Sequence, residues 1–282
     1  MADNGARKRP TPMSATVLRT ERLSVSMVRV VLELQDKNRF TPSEFTDSYV
    51  KVLFLHPDGD YPRPVDVDQI RTEMPSKYWP RLRTYTVRNF DAENAALTLD
   101  FVVHGDEGVA GPWAANTQPG DEVLLLGPGG GYSPDPSADW HLMIGDESVL
   151  PAIATALEAL PATATAHIFV EVHGPEDEIP MPMKENAALV WIHRGIRPVG
   201  EALVEAVTAE EFPPGRVHAF VHGEAGFVKQ IRRFLRLGHN LDQQQLSISG
   251  YWRVGADDEG WRAIKKDWNR EVEEEEHAAG IS

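Results

Sequence analysis

The chain has 282 residues, enough for two domains of ordinary size, each burying its own core. Hydrophobic residues make up 41%, charged residues 25% and aromatics 8%, which is the composition of a folded globular protein and excludes a disordered or fibrous one. The absence of cysteine excludes disulfides, Cys-ligated zinc, iron–sulfur clusters and thiol nucleophiles, and a formal net charge of -15 argues against nucleic acid as a partner.

Residues 1–13 are polar and proline-bearing and read as a mobile arm, with basic residues but no apolar run behind them to make a signal peptide. No window approaches the ~18 apolar residues of a transmembrane helix, so no membrane insertion and a cytoplasmic location are expected. From Ser14 the β-branched alternation of ATVLRTERLSVSMVRVVLEL signals strands. Further strand signals follow at 48–56, 83–90, 95–104 and 121–127, with one short helix expected around Val67 to Lys77. Short strands with few helices predict an antiparallel β-barrel or sandwich over 14–132.

After GPGGGYSPDPSAD (127–139), which reads as a hinge, the rhythm changes. WHLMIGD, TATAHIFVEV, AALVWIHR, RVHAFVHGE and LSISGYWRVG read as buried strands. SVLPAIATALEAL, VGEALVEAVTA and AGFVKQIRRFLRLG read as the helices between them. That alternation predicts a Rossmann-like parallel α/β domain over 139–270. A last helix carries Trp261, Ile264, Trp268 and Val272 on one face, while residues 271–282, with the acidic run Glu273 to Glu276, read as a solvated mobile tail.

Candidate chemistry lies in four places. In RTYTVR (83–88), Tyr85 can stack on a planar ring, Thr86 can hydrogen-bond its edge, and Arg83 can neutralise a diphosphate. The small residues Gly108, Ala110, Gly111 and Pro112 precede a WAAN turn and suit close approach of a phosphate; a plain glycine-rich turn is the alternative. GDESVLP (145–151) follows the first parallel strand, with Ser148 as N-cap, and ligands of open α/β sheets bind at such strand ends. Asp146 and Glu147 there repel phosphate and suit the nicotinamide better. Lys51, mid-strand in YVKVLFL, either snorkels to solvent or has a partner. The ten histidines are scattered, and no protein-bound metal is expected.

Together RTYTVR, DFVVHG with GVAGPWAAN, PGDEVLLLGPGGG, GDESVLPAI, GEAGFVKQIRRFLR and GYWRVGADDEGWR resemble the siderophore-interacting protein family, FAD-dependent ferric-siderophore reductases of the ferredoxin-reductase superfamily. The resemblance covers about residues 14–270. It implies FAD held by Arg83, Tyr85, Thr86, Asp100, Val102, His104, Ala110, Gly111, Trp113 and Ala114. It implies NADPH or NADH at Gly145, Asp146, Glu147, Ser148, Gly223 and Glu224, and a ferric siderophore at Lys51 and Arg253. Ferredoxin is the alternative electron donor. Glu171, after the second parallel strand, favours a free ribose hydroxyl and hence NADH, whereas the resemblance leans to NADPH.

A flavin accepts a hydride's two electrons and passes them on singly, so no general acid or base is required of the protein. Ferrous iron binds hard oxygen donors less tightly than ferric iron, so reduction releases the metal. The rival readings are a general NAD(P)H:flavin or quinone reductase, expected to have an enclosed apolar pocket, and a non-catalytic siderophore carrier, expected to lack FAD.

Overall fold

The computed structural model describes residues 11–105 and 108–280. Six strands close into an antiparallel barrel in the order β1(Met13–Arg22), β2(Met27–Leu34), β5(Ala96–Val102), β4(Arg81–Asp91), β3(Tyr49–Phe54), β6(Glu122–Gly129), with β6 pairing back on β1. Strand period explains the closure. Val28, Val30 and Leu32, Val50 and Val52, and Leu97, Leu99 and Phe101 alternate into one core. Alternation then turns Tyr49, Lys51 and Leu53 to the outside of the barrel.

Between β3 and β4, α1(Val67–Glu73) covers a small outer cluster with Leu53 and Leu82. Its start is set by Asp66, whose side chain accepts from the backbone N–H groups of Asp68 and Gln69. A second short helix, α2(Ala110–Asn116), buries Ala110 and Ala114 in the barrel core.

The second domain is a five-stranded parallel sheet, ordered β11(Leu246–Trp252), β10(Val217–Glu224), β7(Trp140–Asp146), β8(Thr165–Val172), β9(Asn186–His193). Helices α3(Leu150–Ala159), α4(Glu201–Ala209) and α5(Ala225–Arg233) make the crossovers. The chain builds outward from β7 to β9, then returns to place β10 on the other side of β7. The topological switch point therefore lies at the carboxyl ends of β7 and β10, where ligands of such sheets bind.

Three features differ from the sequence reading. Gly127 to Gly129 continue β6 and are not a hinge, since Gly129 pairs with Tyr49 on β3. Asp146, not Ser148, caps the turn after β7, accepting from the Ser148 backbone N–H. The expected tail at 271–282 is helical through Ala278, because α6(Asp258–Ala278) runs on and buries Val272 and Glu276. Long-range pairing explains this last difference: Glu276 accepts from Arg232 at 2.5 and 2.8 Å, and Glu275 from Lys229 at 2.7 Å, so the acidic run is anchored on α5. In the apolar stripe, Trp261, Trp268 and Val272 are buried while Ile264 stays 43% exposed. The expected arm at 1–13 lies mostly outside the described residues, and its last residue, Met13, begins β1.

The domains are tied together at several points. Asp177 accepts from the Ser26 backbone and hydroxyl at 2.9 and 2.6 Å, Arg88 forks onto Glu158, and Thr155 donates to the Thr46 carbonyl. An apolar cluster containing Met27 of the barrel and Ile153, Leu157 and Phe220 of the α/β domain fills the space between. The relative position of barrel and sheet is thereby held. No described helix is long and apolar enough to cross a membrane.

Candidate functional site

A cavity of about 640 Å³ opens at the domain junction, within the range usual for small-molecule sites. β4 supplies Arg83, Tyr85 and Thr86, β5 supplies Asp100 and Val102 with His104 just beyond, and the turn after β7 supplies Asp146, Glu147 and Ser148. Lys51 of β3 closes the wall. These ten expected residues, from four separate stretches of the sequence, line this one cavity.

The remaining expected residues are not on that wall. Ala110, Trp113 and Ala114 pack inward: the Trp113 ring lies 5.4 Å from Phe101 and 5.7 Å from Phe54. A Cβ on Gly111 would come within 3.4 Å of the Val102 carbonyl oxygen, so the small residue lets α2 approach β5. Gly145 makes room for Val149, and Gly223 for Asp146 and Phe227. Glu224 is consumed as the cap of α5, accepting from Gly226, Phe227 and Val254 backbone N–H groups. Arg253 is exposed and outside the lining.

Sequence reasoning passed over the far wall, made by His222 of β10, Ser249, Tyr251 and Trp252 of β11, and Asp258, Trp261, Arg262 and Lys265 of α6. Period 2 along LSISGYW was a usable signal for Ser249 and Tyr251; no local pattern shows that α6 folds back against the barrel.

Charge in the site is tightly arranged. Arg29 makes two bonds to Asp100, at 2.7 and 2.8 Å. Arg194 bridges Glu171 and Glu147 at 3.0 Å each, and Glu171 also accepts from the Gly200 backbone. Glu171 is thus engaged by Arg194 and the Gly200 backbone and is not held free as the acceptor that a ribose hydroxyl would need. Asp146, wholly buried, accepts from Ser148, from the Glu224 backbone at 2.9 Å and from the Trp252 indole at 2.8 Å. Burial, with Glu147 beside it, pushes its carboxyl up to about 6. Burial pushes His222 down to about 3, while His104, exposed on the cavity wall, is lowered by partial desolvation with Arg194 nearby. Lys265 donates to Ser249 at 3.0 Å, and burial lowers its ammonium below the usual range. Lys51 is half-buried and makes no ion pair among the described residues.

A second cavity, of about 440 Å³, shares Tyr49, Lys51 and Arg262 with the first and adds Arg71, Leu82 and Pro128. Lys51 therefore stands on the ridge between two spaces.

The residues present fit a flavin. Tyr85 lies on the cavity wall with its ring 4.0 Å from Phe101, Thr86 beside it is buried and polar, and an added Cβ at Gly105 or Gly108 meets nothing within 4 Å, leaving the backbone ahead of α2 approachable. Barrel, parallel sheet and junction cavity are the architecture of a two-domain FAD-dependent oxidoreductase. Residues 16–132 match the siderophore-interacting FAD-binding domain and residues 138–255 the siderophore-interacting protein model, and the chain belongs to that family.

An uncharacterized protein of Mycobacterium tuberculosis is 46% identical, over 89% of this chain and 93% of its own. The ferric vibriobactin reductase of Vibrio cholerae is 32% identical over 90% and 94%, and an NADPH-dependent ferric-chelate reductase of Escherichia coli 28% over 85% and 92%. Among solved structures, a siderophore utilization protein from T. fusca superposes with a TM-score of 0.77 at 36% identity, covering 89% of this chain and 96% of that one.

Proposed function

We propose that this protein is a cytoplasmic ferric-siderophore reductase that takes electrons from NADPH or NADH through FAD and delivers them to Fe(III), releasing Fe(II). The observation that carries this reading is the placement of Lys51 on the rim of the cavity that Tyr85 and Thr86 line, with no ion-pair partner among the described residues. An anionic ferric chelate is attracted to such a cation. Relatives named as ferric-chelate reductases support it.

FAD supplies the conversion of a two-electron donor into single-electron steps. The chain's own residues bind and orient. Tyr85 presents a ring face and Thr86 a hydroxyl to the flavin. His222, neutral by burial, adds polarity without charge. Asp146 joins the turn after β7 to Trp252 of β11, fixing the far wall. Lys51 places the iron chelate.

Reduced ferredoxin is a second donor, favoured by one observation. Asp146, Glu147, Glu171 and Glu224 crowd the strand ends with Arg194 as counter-charge, a poor field for a nucleotide diphosphate. A steady-state assay with a chromogenic ferrous trap, run on a ferric catecholate, a quinone and free flavin with each donor, tests both points. Preference for the ferric chelate supports the reading. Faster turnover of quinone or free flavin opposes it.

A further inference from the structure

α6 lies outside both family-matched ranges, and it behaves as two pieces. Its body is fixed to the α/β domain by Trp261, Trp268 and Val272 in the core and by the pairs of Glu275 and Glu276 with α5. Its first turn reaches instead to the barrel. There both Glu259 oxygens accept from Arg83, at 2.6 and 2.9 Å, and Asp258 lies 3.1 Å from the same guanidinium. Arg262 donates to Asp258 and, at 2.8 Å, to the Leu82 carbonyl next to Arg83. The segment leading into this turn is exposed, with Gly255 at φ 80 and open space around it.

Arg83 is the arginine of the R-x-Y-T strand, beside the ring of Tyr85. It carries one guanidinium, and the fork it offers matches a carboxylate or a phosphate equally well. Glu259 is charged at neutral pH, since Arg83 holds its carboxyl below the usual range. It is also 47% exposed, so the pair is of the weak, solvent-screened kind that a diphosphate can displace.

We propose that Asp258 and Glu259 are an internal competitor for the anion site at Arg83: they hold the guanidinium until FAD binds, and the FAD diphosphate displaces them and releases the first turn of α6 from the barrel. The inference rests on the flavoprotein reading above. Its consequence is a coupling. Arg262, which lines the same cavity and is bonded to Asp258 and to the Leu82 carbonyl, changes its setting when the flavin enters, so the wall facing the iron chelate is completed only in the loaded protein.

Two measurements on the full chain test this. FAD affinity, read by flavin fluorescence, should rise about five- to tenfold in Glu259→Gln and stay near wild type in Glu259→Asp, which keeps the charge. Amide hydrogen exchange in the wild type should quicken at residues 258–262 when FAD is added, while Trp268 to Ala278 is unaffected. Equal or weaker FAD affinity in Glu259→Gln, or slowed exchange at 258–262, overturns the competitor and leaves the flavoprotein reading standing. Absence of FAD binding in wild type and variant alike overturns both.

Discussion

The Trp252 indole N–H lies 2.8 Å from Asp146 Oδ2, so the last strand of the parallel sheet is bonded to the turn after its first strand, directly on the cavity wall. Because the carboxyl is raised to about 6 by burial and by Glu147, this contact changes character close to neutral pH. An acid raised above its unfolded value of about 3.9 contributes stability while protonated, fully below pH ~4, and loses it as pH rises through about 6. Trp252 fluorescence in the flavin-free protein should therefore titrate with a midpoint near 6, and Tm should fall over the same window. In Asp146→Asn both pH dependences should shrink, on a lower overall Tm because four donors lose their carboxylate. An unchanged titration in the variant would assign it to another group.

Arg194 stands between two carboxylates with side chains 4% and 0% exposed, Glu147 and Glu171. Removing one partner of a buried pair is strongly destabilising because the other charge is left unpaired. Arg194→Met should cost roughly 3 kcal/mol in denaturant unfolding at pH 8. Part of that loss should return at low pH, because burial raises the Glu147 carboxyl and its protonation relieves one of the two unpaired charges. A pH-independent loss would point to packing alone.

Tyr85→Ala removes a ring from the cavity wall and a 4.0 Å contact to Phe101. FAD should bind about tenfold more weakly, the effect of losing one aromatic face. Wild-type FAD affinity in a folded variant would remove Tyr85 from the flavin site.

Lys51→Ala should raise the KM for an anionic ferric chelate about five- to tenfold, with the difference shrinking at high salt, while FAD content and reduction by the donor stay within about twofold. Equal loss of all three would make Lys51 a structural residue of β3.

Much of this architecture is legible in local pattern. Period 2 in YVKVLFL places Lys51 opposite Val50 and Val52, and the short apolar runs from Trp140 onward mark the parallel strands. Asp146, Glu147 and Ser148 reach the cavity because they end β7 at the switch point of the parallel sheet, and the seven barrel residues meet them there because the barrel packs against that sheet. What the sequence leaves unseen depends on distant partners. Glu276 looks like a solvated acid until Arg232 is placed against it, and Glu224 like a nicotinamide-nucleotide contact until three backbone N–H groups are. Arg253 looks like a site residue by its neighbours Tyr251 and Trp252, yet the chain turns outward after β11 and Arg262 and Lys265, one helix further on, take the cavity wall.

The central claim is tested most directly by mixing the FAD-loaded protein anaerobically with NADPH, NADH or reduced ferredoxin, following the flavin absorbance, then adding a ferric siderophore with a ferrous-specific chromogenic chelator. The account predicts bleaching, then recovery of the flavin band with about two ferrous ions trapped per flavin, as electron balance requires. Bleaching without ferrous iron on siderophore addition would contradict it.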